Sequence, residues 1–64
     1  MDTRYPILRF FAYAHLPPHL QAISKPFGEL AEAVAARKPE GDAETATALR
    51  KLLEAKDAAV RAVL

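Results

Sequence analysis

The sequence predicts an all-α protein: a short N-terminal helix followed by an antiparallel helical hairpin, assembled as a compact homo-oligomer. Three observations lead there. Apolar residues recur at three- and four-residue spacing over two long segments, and no segment alternates as a strand does. Turn formers stand between the segments: Pro17 and Pro18 first, then Pro39 and Gly41. Finally, the chain has 64 residues and no cysteine. A core that small rarely holds alone, and without disulfides or thiolate zinc the remaining stabiliser is a second copy. The whole of 1–64 is taken as one domain.

The first helix is expected over about residues 5–14. Pro6 suits its first turn, where a missing amide costs nothing. "HLPPHL" ends it, because Leu16 precedes a proline and Pro17 cannot follow a helix interior. The second helix starts at about Pro18 and runs to residue 37. Its stripe is Leu20, Ile23, Phe27, Leu30 and Val34. Beside that stripe lies a strip of small residues, Ser24, Gly28, Ala31 and Ala35, which lets another backbone or a ligand approach closely. Ordinary helix surface is the plainer reading of that strip.

"KPEGD" is a turn, and Asp42 is the expected N-cap of the third helix, with Glu44 favourable in its first turn. That helix is expected over about 43–64. Leu49, Leu52, Leu53, Val60 and Val63 share one side, with Lys56 near the centre of the same face. A lysine there must snorkel, pair, or meet an anion at an interface. Arg50–Glu54 and Asp57–Arg61 have the i,i+4 spacing of outer-face ion pairs.

"AISKPFGELAEAV" sets the main problem. Pro26 falls inside the second helix, at a cost of about 3 kcal/mol for a helix interior. A kink there would free backbone groups near Ala22 for a ligand, with Lys25 beside them.

Charge is distributed unevenly. Residues 1–27 carry a net charge of +2, both histidines and all five aromatics. Residues 28–64 carry six basic and seven acidic side chains and no aromatic. The net charge of +1 argues against a DNA or RNA polymer as partner, since phosphate-backbone affinity needs many basic contacts. No apolar run approaches a membrane span, and "MDTRYPILRFFAYAHL" lacks the apolar core of a signal peptide. Absence of cysteine fits a reducing cytoplasm.

Catalytic chemistry is not indicated. Ser24 has no histidine near it in sequence. His15 and His19 are four apart, but two prolines between them remove the helical premise of a metal pair. The two glycines are 13 residues apart, so no phosphate loop is present. A binding surface remains, in which aromatic rings stack on bases and cations meet phosphate. On these residues alone, the reading is a small helical binding module, with nucleotide one ligand class among several.

"ILRFFAYAHLPPHLQAISKPFGELAEAV", followed by "ALRKLLEAKDAAVRAVL", resembles the phage anti-CBASS proteins of the second type, whose helical hairpin is shared with anti-Thoeris proteins. "HLPPHLQ", "SKPF" and "LLEAKDAAVRA" carry the resemblance. It implies a compact homohexamer that acts as a sponge. Such proteins hold cyclic dinucleotides and, in separate pockets, cyclic trinucleotides without cleaving them. The immune effector is then never activated. Residue by residue, the resemblance points to an aromatic of the first helix stacking on a base. Phe10 matches, with Phe11 and Tyr13 close in register. It also points to Lys25 of "SKPF" against phosphate, flanked by Ser24 and Pro26. Arg9, Arg50 and Arg61 are compositional candidates for a trinucleotide pocket. No cofactor and no metal are implied, and the site of action is the cytoplasm of the infected host. The rival reading is a protein-interaction hairpin that buries its aromatic front against another protein.

Overall fold

A computed structural model describes residues 5–64. Asp2 and Arg4, counted above in the basic front, lie outside the described residues. The elements are a 3₁₀ helix at Pro6–Phe11, helix α1 at Pro18–Ala36 and helix α2 at Ala43–Ala62. All three pack on one another.

At 1.5 Å per residue, α1 and α2 are about 28 and 30 Å long. The molecule measures 35 × 20 × 15 Å, so both helices lie along its long axis. The six residues 37–42 that join them can only turn the chain back, which makes the pair an antiparallel hairpin. Gly41 has a φ of 95°, the left-handed conformation this turn requires. Asp42 caps α2: its Oδ2 accepts from the Thr45 amide at 2.9 Å and from the Thr45 hydroxyl at 3.1 Å.

The first element departs from expectation. It is a 3₁₀ helix of six residues, not a helix over 5–14. Aromatic and β-branched residues are mediocre helix formers, and an α-helix this short rarely closes. Tighter i→i+3 bonds close sooner, as in Leu8 N–H donating to the Tyr5 carbonyl at 3.0 Å. Ala12 is already extended, with φ −60° and ψ 137°. Gln21 fixes the turn that follows: its Nε2 donates to the Leu16 carbonyl at 2.7 Å and to Ala14 at 3.3 Å. At the far ends, α1 stops at Ala36 and α2 at Ala62, short of the expected 37 and 64.

Pro26 does not interrupt α1. Its missing amide leaves the Ala22 carbonyl without its usual donor. Ala22, Lys25 and Pro26 are all exposed, a position where water can stand in for the missing donor. The cost of the proline is thereby reduced.

The inward face of α1 is the second correction. The strip of small residues faces in: Ser24, Gly28, Ala31 and Ala35 are buried, together with Leu20. Of the expected stripe, Ile23, Phe27 and Val34 are only half-buried and Leu30 is 51% exposed. The core is Tyr5, Phe11, Ala31, Ala35 and Leu49, flanked by Ile7, Leu8, Phe27, Val34, Leu52 and Leu53. Small side chains on α1 make room for the aromatics of the first element. The Tyr5 hydroxyl donates to the Lys38 carbonyl at 2.6 Å, pinning the start of that element to the far end of α1.

On α2, Lys56 lies on the inward side as expected. Its side chain is 14% exposed, and its Nζ pairs with Asp57 at 3.1 Å. Asp57 therefore turns to its neighbour rather than to Arg61. The expected Arg50–Glu54 pair is not formed either.

Candidate functional site

Two cavities flank the extended stretch after the 3₁₀ helix. Phe10 and Phe11 are adjacent and point to opposite cavities, because successive residues of a tight 3₁₀ turn are far apart around its axis. The larger, about 630 Å³, lies between the 3₁₀ helix and α1. Tyr5, Leu8, Phe11, Tyr13 and Gly28 form its apolar walls. Among the described residues its charged groups are Arg9 against Glu29 and Glu32, a balance that disfavours an anion.

The smaller cavity, about 370 Å³, lies where the 3₁₀ helix, α1 and α2 meet. Its size is that of a small-molecule pocket, about 300–1,000 Å³. Among the described residues, Arg9, Lys56 and Arg61 bring three cations to it against the one carboxylate of Asp57, with His15 beside them. Phe10 supplies a ring that is 52% exposed. The Arg9 guanidinium sits over that ring, 4.8 Å from its centre. Ser24 lines the same cavity. It is 1% exposed, and its Oγ has no hydrogen-bond partner.

The six residues singled out from the sequence are thus divided three ways. Phe10 and Ser24 share the cationic cavity. Phe11, 4% exposed, and half-buried Tyr13 face the larger one. Lys25 and Pro26 are exposed on the outer side of α1 and line neither. Of the arginine candidates, Arg9 and Arg61 reach the cationic cavity and Arg50 does not. His15, Lys56 and Asp57 were not foreseen as lining residues. Lys56 had left a signal, as a lysine on an apolar face; His15 and Asp57 had left none.

Among the described residues, no three His, Asp or Glu side chains group as a metal site requires. No described helix is long and apolar enough to cross a membrane. In comparisons with known proteins, no family model, no curated protein and no solved structure matches this chain.

Proposed function

We propose that this protein sequesters cyclic oligonucleotide second messengers without cleaving them, as a phage anti-defence protein that keeps CBASS effectors inactive. One observation carries the structural side of this reading. A half-exposed aromatic ring, Phe10, stands on the wall of a cavity where, among the described residues, three cations line the same space as one carboxylate. A nucleotide has a base for the ring and a phosphate for the cations. Cyclic di- and trinucleotides are the ligand class because "HLPPHLQ", "SKPF" and "LLEAKDAAVRA" resemble the sponge family. Sequestration needs only affinity and slow release.

The same reading makes the protein a homo-oligomer, a hexamer by resemblance, acting in the cytoplasm of the infected cell, where its ligands are made. Leu49 is the one large apolar side chain among the described residues that is completely buried. Phe10, Leu30, Val63 and Leu64 remain exposed. A second copy would cover such surface and would bring Lys25 of one chain toward a ligand held by another. The exposed apolar side chains favour the rival reading, a protein-interaction hairpin, in the same measure.

Titration calorimetry against a panel of cyclic di- and trinucleotides tests the proposal. Binding by at least one member is expected, with the ligand recovered intact after heat denaturation. Cleaved ligand would overturn the sponge mechanism. No heat from any member, with the fold and oligomer intact, would leave the interaction hairpin.

A further inference from the structure

We infer that the larger cavity, between the 3₁₀ helix and α1, is a second ligand site, and that its ligand is an aromatic amine: a flat apolar body carrying a single positive charge. The inference is independent of the nucleotide reading, which concerns the other cavity. Among the described residues, the two linings share only Arg9 and Ala12. It begins from the space. At about 630 Å³ the cavity falls in the range of small-molecule sites, about 300–1,000 Å³. Its accessible lining is largely apolar: Pro6 and Ala12 are exposed, and Leu8 and Tyr13 are half-buried. Apolar ligand surface that leaves water for such walls gains free energy in proportion to the area covered.

Charge then selects among apolar ligands. Glu29 and Glu32 both line the cavity, three residues apart on α1. That spacing sets two side chains on one face of a helix, about 5–6 Å apart at Cβ. Both glutamates are exposed, and neither is ion-paired with another described residue. Arg9 offsets them only in part. Its guanidinium lies 4.8 Å from the centre of the Phe10 ring, and Phe10 lines the other cavity and not this one. A ligand ammonium relieves the repulsion between the two carboxylates, whereas a neutral ligand leaves it and an anion adds to it. Tyr13 gives the ligand's ring an aromatic partner, and its face also attracts a cation. Apolar walls, an aromatic ring and a pair of carboxylates together match an aromatic amine better than either an aliphatic or an anionic ligand.

The test is amide chemical-shift mapping by NMR, with titration of tryptamine, tryptophol and indolepropionate. The three probes share an indole ring and end in a cation, a neutral hydroxyl and an anion. Tryptamine is expected to bind saturably, shifting the amides of Leu8, Tyr13, Gly28 and Glu32 and leaving those of Asp57 and Val60 on α2 in place. Tryptophol is expected to bind about tenfold more weakly, and indolepropionate more weakly still. Glu29→Gln and Glu32→Gln are each expected to weaken tryptamine about two- to fivefold, the range of an exposed ion pair, and to leave tryptophol unchanged. Both side chains are exposed, so the fold should survive either change. A purely structural role of the glutamates would move both probes alike and would remove them from the site. Equal affinity of the three probes for the wild type would overturn the choice of a cation. Tryptamine shifts confined to the α2 cavity, or no saturable shift at all, would overturn the site.

Discussion

The carbonyl oxygen of Phe11 lies so close to α1 at Gly28 that a Cβ on that glycine would stand 3.1 Å from it. The Tyr13 ring closes the same spot, at 3.4 and 3.5 Å. Gly28 is helical, so space and not backbone conformation requires the glycine. The chain leaving the 3₁₀ helix crosses α1 at this point, which is how both cavities acquire a shared wall. "KPFG" is thus explained in two halves: Pro26 is tolerated on the wet side, and Gly28 is needed on the dry side.

Replacing Gly28 separates two effects. Gly28→Ala gains about 1 kcal/mol of helix propensity and crowds one carbonyl. The two oppose each other, and the net change is expected to stay within about 1 kcal/mol. Gly28→Leu gains the propensity but drives a branched side chain into Phe11 and Tyr13. Overpacking of that kind costs about 1–3 kcal/mol or more. The crossing segment should lift off, with loss of the tyrosine signal in near-ultraviolet dichroism and retention of helix content. A Gly28→Leu protein with wild-type thermal midpoint and tyrosine signal would contradict the crossing.

Tyr5 is expected to be the anchor of the first element. Tyr5→Phe removes only the bond to the Lys38 carbonyl and should cost about 0.5–1.5 kcal/mol in chemical denaturation. In a domain of this size about 1 kcal/mol corresponds to roughly 4–8 °C. Tyr5→Ala removes a ring that is 2% exposed and should cost about 3–5 kcal/mol. That is of the order of the whole stability of so small a core. Equal midpoints for wild type and Tyr5→Phe would show that the hydrogen bond contributes nothing.

Ser24→Ala is expected to stabilise the ligand-free protein. Alanine removes an unpaired buried oxygen and improves helix propensity by about 0.5 kcal/mol. Together the two changes should raise stability by about 1–2 kcal/mol. A lower thermal midpoint for the variant would mean that the hydroxyl is satisfied in solution and is no free donor.

Acid should loosen the start of α2. The Thr45 backbone amide, then its hydroxyl, bonds the Asp42 carboxylate and lowers its pKa below the ordinary value. A lowered folded-state pKa means that the carboxylate stabilises the fold at pH values above about 3.9. That contribution is lost as the pH falls through the folded-state value. Asp42→Asn keeps the cap and should lose less stability than wild type over that acid range. Parallel acid-unfolding curves for the two would refute the role given to the carboxylate.

The helices were legible because their ends are marked by local chemistry. Pro18 starts α1 and Asp42 caps α2, and each acts on its nearest neighbours. The inward face of α1 was legible in part: the strip of small residues was read as a place where a backbone can come close, as the Phe11 carbonyl does at Gly28, but not as the buried face itself. Periodicity favours the large residues Leu20, Ile23, Phe27, Leu30 and Val34, whereas the strip beginning at Ser24 is chosen by a backbone that crosses from residues 11–13. That contact is non-local, and the glycine and alanines that permit it leave only an absence of bulk as their signal. The division of Phe10 from Phe11 was hidden likewise, since it depends on a 3₁₀ turn where a continuous helix was expected. The cationic cavity draws on three elements, so no single stretch of sequence announces it.

The last prediction separates the aromatic candidates and tests Lys25. Phe10→Ala should weaken cyclic nucleotide binding about ten- to a hundredfold, since stacking on an aromatic contributes about 1–3 kcal/mol. The ring is 52% exposed, so the fold should survive its loss. Arg9 would lose its partner at a cost of about 0.5–1 kcal/mol. Phe11→Ala should behave differently: its ring is 4% exposed, and its removal should cost about 3–5 kcal/mol of stability. Lys25 lies outside both cavities, so in an isolated chain Lys25→Ala should change nothing. In the proposed oligomer it should weaken binding roughly tenfold, the lower end for a charge-assisted bond, because there a neighbouring copy would bring it to the ligand. Calorimetry above and below the assembly concentration, fixed by sedimentation equilibrium, distinguishes the cases. Unchanged affinity of Lys25→Ala in an intact oligomer would remove Lys25 from the site, and a Phe10→Ala protein that binds as tightly as wild type would remove stacking from the mechanism.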